Sequence, residues 1–463
     1  MSGPTWSTLP SMPDAIAKVT PVLPLEVLAA RRAEVMQRMR AHVPGGGGVA
    51  VLTSTPVATR NHDVEHAYRA DSDLFWLTGL EEPGATAVLA PGAKEPFTLF
   101  VRPRDPEQEI WTGRRAGVEG AALAFGADKA HPIEALDSVL PGLLAGQRAL
   151  WYAFGSADPA FDARIARVLG HLRMRARSGG GAPPRIEDPG QILHELRLIK
   201  AAEELSALRR AVELTQRGHL AAMAEGRPGA HEYQLQAVLE HAYRHGGGRG
   251  SGYHPIVAAG AHATVLHYNE NSAQIGAGEL VLVDSGAEVD LYTADVTRTF
   301  PAAGRFTARQ RAAYEVVLAA ADACIERSRP GATIDGLHEV AVGMLTEGMI
   351  ELGLLRGDPA ALVRDGAYRK YYMHRTSHWL GLDVHDAGSY RTDGGAPRPL
   401  APGMVFTVEP GLYVPPGDQS APADLRGLGI RIEDDILVTA GGHENLTAGI
   451  PRTAEDVEAA WAR

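Results

Sequence analysis

The stretch Ser178-Gly179-Gly180-Gly181-Ala182-Pro183-Pro184, with Pro189-Gly190 just beyond, constrains this 463-residue chain more than any other feature. Successive glycines and a proline pair do not continue a helix or a sheet ladder, so the break reads as a domain boundary. The length also exceeds what one ordinary core organises. Two domains follow, residues 1–185 and residues 186–463.

Ahead of the break, residues 28–40 have the composition of a helix. Residues 49–52, 87–89, 98–101 and 149–152 read as buried strands, which makes the first domain an α/β layer. Beyond the break the order is helices (203–223, 231–243), strands (279–283, 295–300), helices (309–327, 334–352) and strands (405–408, 430–438). That order describes two related α+β halves.

Composition narrows the class. Apolar residues make up 45% and charged residues 22%, as in ordinary globular proteins. A formal charge of −11 opposes nucleic-acid or anionic-membrane binding. Met1-Ser2-Gly3-Pro4-Thr5-Trp6 lacks a basic region followed by an apolar one, and no apolar run reaches membrane-span length, so a cytoplasmic address is expected. The sole cysteine, Cys324, excludes an intrachain disulfide and a thiolate metal cage, and reads as a small buried side chain. Gly45-Gly46-Gly47-Gly48 precedes a strand and lacks the Gly-Lys-Ser/Thr of a phosphate loop. The glycine-rich 246–252 segment reads as a mobile loop, and the His62-Asp63…His66 segment, with no ligand cluster beside it, reads as loop.

The chemistry is concentrated in five short segments. Asp284 closes the apolar Leu282-Val283 run, and Asp295 follows a turn-like 286–290 that allows a hairpin to return a second carboxylate beside the first. Glu409 ends an apolar run ahead of Pro410-Gly411. In Ile430-Arg431-Ile432-Glu433 the alternation puts Arg431 and Glu433 on one strand face, where an arginine orients a carboxylate and grips a tyrosine. His378 adds one imidazole. Each acid alone could be satisfied by a cap, a turn or a surface ion pair. Together they form a hard, oxygen-rich donor set whose four negative charges balance two divalent cations. Such cations, roughly 3.5–4 Å apart, activate water near neutral pH. A two-metal hydrolase is the expectation. Three histidines fall within residues 374–385, and His374 and His385, with the distant His267, are candidates for oxyanion stabilisation or proton transfer.

These motifs carry a resemblance. His374-x-x-x-His378-Trp379-Leu380-Gly381-Leu382-Asp383-Val384-His385-Asp386, Val408-Glu409-Pro410-Gly411-Leu412-Tyr413 and Gly429-Ile430-Arg431-Ile432-Glu433-Asp434 resemble the pita-bread metallopeptidases, most closely bacterial aminopeptidase P. Residues 68–79 and 109–115 are similar to that group's creatinase-like N-terminal α/β domain. The resemblance implies an α+β protein with a C-terminal pita-bread domain and two Mn²⁺ ions per subunit, with Co, Mg or Zn as possible occupants. It implies Asp295 and Glu433 as shared metal ligands, Asp284 on one ion, and His378 and Glu409 on the other. Glu409 would also carry the proton, His267 and His385 would steady the scissile carbonyl, and His374, Tyr413 and Arg431 would line or support the proline pocket. The substrates implied are peptides with proline in second place. Trp111 is implied at a neighbouring subunit's site, making a homo-oligomer (dimer or tetramer), although from the residues alone a buried structural tryptophan serves equally well. Gly394 stands near where the group often has an arginine, a place Arg391 could take. The alternatives are an Xaa-Pro dipeptidase (prolidase) and a non-catalytic pita-bread binding protein. Only fifteen residues separate Asp386 from Pro402, which is short for prolidase.

Overall fold

Every residue of the Val49–Thr53 strand is buried, the pattern of a strand covered on both faces. In the computed structural model, which describes residues 21–155, 158–178 and 180–462, it lies inside a six-stranded mixed sheet. The strand order is Lys129–Pro132, Phe97–Val101, Thr86–Leu89, Val49–Thr53, Leu150–Trp151 and Ile186–Glu187. Val51, Val88 and Phe100 pack with Leu140 and Leu144 of the Leu136–Leu144 helix and with Ile165 and Leu169 of the Pro159–Met174 helix. The helix expected at 28–40 spans Leu25–His42. Past Pro184 the chain adds Ile186–Glu187 to this sheet beside Leu150–Trp151, and the two compact units divide between Leu193 and His194.

The second unit begins with the helices Ala202–Glu225 and Glu232–His245, packed on one another. An antiparallel sheet follows, with Leu280–Asp284 between Ile256–Ala259 and Thr297–Pro301. The pattern then repeats. Helices Ala308–Arg327 and Ile334–Glu351 pack together, and Asp434–Thr439 lies between Val405–Val408 and Gly442–Asn445. A further hairpin pairs Gly411–Val414 with Leu428–Arg431. Two α+β halves result. Val281 and Val283 of the first sheet pack on Leu235, Leu239 and Tyr243 of a helix, while Ile430 of the further hairpin and Ile432 just beyond it pack with Tyr314, Val317 and Leu345.

One buried cation ties the halves together. Arg298, fully buried, donates to the Glu433 carbonyl (2.6 Å), Asp434 Oδ1 (2.8 Å) and the Pro451 carbonyl (2.8 Å). A guanidinium has enough donors to satisfy all three, which lets a charge sit in the interior.

Some local expectations change. The strand expected over 430–438 is interrupted at Ile432-Glu433, and the one expected at 295–300 begins only at Thr297. Within the 246–252 loop, Gly250–Ser251 forms a strand against Ala287–Val289. Asp63 and His62 occupy the exposed tip of a small hairpin, Thr59–Asn61 with Val64–Glu65. Cys324 is buried, and burial pushes its thiol up to about 12, which makes it inert. The opening segment Met1–Trp6, and Gly179 of the break, lie outside the described residues. Among the described residues no helix is long and apolar enough to cross a membrane.

Candidate active site

All four carboxylates project from places where a backbone ladder stops. Val408 pairs with Asp434 and Gly411 with Arg431, so Glu409-Pro410 faces Ile432-Glu433 across a shared interruption. Pro410 has no N–H to give a ladder, and the break turns both glutamates inward. On the other sheet Asp284 is the last residue of its strand, opposite Thr297, and Asp295 lies just before Thr297–Pro301. The intervening hairpin turns at Asp290-Leu291, both with positive φ, as a two-residue turn of the favoured twist requires. Gly286 lets the hairpin close: a Cβ there would lie 1.7 Å from the Ala294 carbonyl oxygen.

His378 reaches the group through an added edge. Thr407 N donates to the His378 carbonyl (2.9 Å) and Glu409 N to that of Thr376 (2.8 Å). The imidazole Nδ1 donates to the Trp379 carbonyl (3.0 Å), which leaves Nε2 facing Asp295 Oδ2 (3.2 Å) and Glu409 Oε1 (3.5 Å). A backbone bond at one ring nitrogen that frees the other for a ligand is how metal-binding histidines are oriented. One ligand atom from each of Asp295, His378 and Glu433 lies within 4.8 Å of the other two.

The electrostatics fit a cation. Burial, with repulsion from Asp295, Glu409 and Asp284, pushes the Glu433 carboxyl well above its ordinary range. Burial likewise lifts Glu409 to about 7 against the pull of His378 and Arg431. Burial alone would lower His378, but its bond to Asp295 and the charge of Glu409 push it up to about 9. Both glutamates are thus pushed toward their neutral forms, and positive charge between the acids would favour their charged, ligating forms.

Arg431 organises the surrounding side chains. Its guanidinium, almost wholly buried, donates to Asp284 Oδ2 (2.5 Å), to Thr297 Oγ1 (3.0 Å) and to the Tyr413 hydroxyl (3.0 Å). Thr297 passes the contact on, donating to Glu433 Oε2 (2.6 Å). Tyr413 lies 2.8 Å from His374 Nε2, while His374 Nδ1 donates to the Arg375 carbonyl (2.7 Å). Burial and the Arg431 charge hold His374 down to about 3, so its imidazole is neutral and accepts from the tyrosine.

A cavity of about 760 Å³ opens over the acids, and His267, His374 and His385 line it with them. The His385 ring stands edge-on to His378, centroids 4.4 Å apart, and burial followed by the His378 charge lowers its pKa. Tyr413 is not itself among the lining side chains; it supports His374 from behind. Trp111 is 84% exposed on the Pro106–Thr112 helix, which removes the buried structural alternative, and it does not line the cavity. Arg391 does line the cavity and pairs with Asp335 (2.9 Å), while Gly394 does not.

Two site residues escape a reading of the sequence. The Tyr253 hydroxyl contacts both Asp284 Oδ1 (2.7 Å) and Asp295 Oδ1 (2.5 Å), yet Gly252-Tyr253-His254 carries no pattern to mark it. Thr297 sits two residues after Asp295, but its link between Arg431 and Glu433 exists only across two sheets.

Comparison with known proteins agrees with the geometry. Residues 206–440 match the model of metallopeptidase family M24, and residues 28–152 match that of the aminopeptidase P N-terminal domain. The chain belongs to the M24 metallopeptidase family. It is 41% identical to the Xaa-Pro aminopeptidase of Escherichia coli K12 over 89% of this chain and 93% of that one. The structure of Pseudomonas aeruginosa aminopeptidase PepP superposes with a TM-score of 0.92 at 45% identity, covering 95% of this chain and 98% of that one. Zinc-substituted E. coli aminopeptidase P in complex with product superposes at 0.90 and 39%, covering 95% and 98%. Together, the family and these relatives make the chain a metal-dependent aminopeptidase of the expected architecture, an aminopeptidase P N-terminal domain followed by a pita-bread domain. Neither the prolidase nor the non-catalytic alternative is favoured by these relatives.

Proposed function

We propose that the chain removes the N-terminal residue from peptides with proline in second place, at a site where Asp284, Asp295, His378, Glu409 and Glu433 hold two divalent ions. The observation that carries this is the convergence of four carboxylates and an oriented imidazole from separate segments at the floor of one cavity. When bound, the ions would supply Lewis acidity and lower the pKa of water toward neutrality. The protein's own groups do the rest. Glu409, its Oε2 3.6 Å from His374 Nδ1, takes the proton of the attacking water and returns it to the departing nitrogen. Proline's nitrogen bears no hydrogen to be gripped, so the substrate must be held by its carbonyl and its α-amine. His267 and His385 donate to the carbonyl oxygen as charge develops. His374 and Arg431, joined through Tyr413, form the wall against which the proline ring rests.

The oxygen-rich donor set supports manganese, with Co, Mg or Zn as substitutes. A lone cysteine suits a reducing cytoplasm. The solvent-facing Ile110, Trp111 and Leu123, each over 80% exposed, support a homo-oligomer in which that surface is covered. The test is metal analysis and Ala-Pro-Ala hydrolysis after chelator dialysis, with and without added Mn²⁺. Activity lost with the metal and restored with it is expected. Undiminished turnover by metal-free protein, or strong preference for the dipeptide Ala-Pro, would overturn the proposal.

A further inference from the structure

His267 belongs to a long connection between Ile256–Ala259 and Leu280–Asp284 whose regular structure is a short 3₁₀ turn, Gly260–Thr264, and one β-bridge from Gln274 to His231. Between these two points residues 265–272 have no regular structure of their own to fix them. Both of its feet are nevertheless fastened to one side chain. Glu232, at the start of the Glu232–His245 helix, is fully buried. Its Oε1 accepts from Ala259 N (2.8 Å) and His262 Nδ1 (3.1 Å). Its Oε2 accepts from Ala273 N (2.8 Å) and the hydroxyl of Tyr268 (2.9 Å), the residue next to His267.

Four donors from one segment thus close on two oxygens. One helical turn later, Gln236 Oε1 accepts from Asn271 Nδ2 (2.9 Å), and Asn271, held at positive φ, also accepts from Val257 N and donates to the Pro255 carbonyl. The His262 ring stacks on Tyr268, centroids 4.5 Å apart. On the opposite side the turn lies against the Leu428–Arg431 strand, where a Cβ on Gly429 would come 2.1 Å from the Ala263 carbonyl oxygen. The segment is therefore gripped between a helix and the strand that carries Arg431.

A buried carboxylate is costly unless fully bonded, and an apolar side chain would pack a helix as well. An acid in the first turn also favours the helix N-terminus, but an exposed one does so without the cost of burial. What the carboxylate supplies is a fixed origin for the segment that presents His267 to the cavity.

We propose that Glu232 is a positioning residue that sets His267 over the carboxylate cluster and acts on turnover through that histidine. The proposal rests on the peptidase reading given above. It is tested by a double-mutant cycle on Ala-Pro-Ala hydrolysis with manganese-loaded wild type, Glu232→Gln, His267→Ala and the double variant. Glu232→Gln is expected to lower kcat about 10- to 100-fold, the scale of a misplaced catalytic group, with bound metal and KM near wild type. In the His267→Ala background the same change should cost nothing further. An equal loss in both backgrounds, or wild-type kcat in Glu232→Gln, would overturn the proposal. Should Glu232→Gln not fold, Tyr268→Phe removes one contact only and enters the same cycle with the same two outcomes. Failure of wild type to cleave the peptide strikes the peptidase reading, whereas additivity in an active wild type strikes Glu232 alone.

Discussion

Arg431 Nη2 lies 2.5 Å from Asp284 Oδ2, and through Thr297 and Tyr413 the same guanidinium reaches Glu433 and His374. One cation thereby orients groups on two sheets and a loop. Arg431→Lys is expected to lower metal affinity and turnover about 10- to 100-fold, because an ammonium cannot reproduce three directed contacts. Metal titration with parallel kinetics checks it. Unchanged metal affinity would count against an orienting role.

Glu409→Ala is expected to abolish measurable turnover, since general acid–base catalysis of this kind contributes about 10²–10⁴-fold and a metal donor is lost with it. Asp284→Asn should weaken metal retention more than it alters substrate affinity. Single-turnover rates and bound-metal analysis of the two variants separate these effects.

His385→Ala should reduce kcat by about 10²–10³ while metal content stays near normal, as removal of an oxyanion donor does. The imidazole stands edge-on to His378 and is not part of the Asp295, His378 and Glu433 group that could hold an ion. Loss of metal from this variant would show that the role given to His385 is wrong.

Gly286→Ala is expected to destabilise the protein by about 1–3 kcal/mol, as overpacking does, and to impair metal binding. The added methyl meets the Ala294 carbonyl and forces apart the segments bearing Asp284 and Asp295. Urea midpoints with metal titration provide the check. A wild-type midpoint with intact metal binding would mean the hairpin can open without cost.

Stability should depend on pH through His219. Its buried imidazole donates to the Ser285 carbonyl (3.0 Å), and burial lowers its pKa to about 4. Unfolded, it titrates near the ordinary value of about 6.5, so the unfolded state binds more protons between those values. Its contribution is complete above pH ~6.5, falls as pH drops toward ~4, and totals about 3 kcal/mol. His219→Gln should flatten the slope of unfolding free energy against pH in that window. An unchanged slope would exclude His219 as the group responsible.

The helices and strands were legible because burial leaves a periodic trace: the apolar runs at 49–53, 280–284 and 405–408 form strands within a residue or two of expectation. The interruption at Ile432-Glu433 was not legible, because the alternation of Ile430-Arg431-Ile432-Glu433 reaches into it and the apolar Ile436-Leu437-Val438 resumes beyond it. What stops the ladder is Pro410 on the facing strand, a cause remote in sequence. Gly250–Ser251 was missed for a similar reason, since its partner strand decides its conformation and its own glycines argue for a loop.

By itself the sequence determined the kinds of group available to this protein: four carboxylates and one imidazole in five short segments, with no thiolate cage possible. Chemical identity and local periodicity are properties of neighbouring residues, so they can be read along the chain. Only the tertiary structure decided that Tyr253 joins Asp284 to Asp295, that Thr297 links Arg431 to Glu433, and that Glu232 fastens the segment carrying His267. Those contacts are directional bonds a few ångströms long between residues far apart in the chain, and no local pattern encodes them.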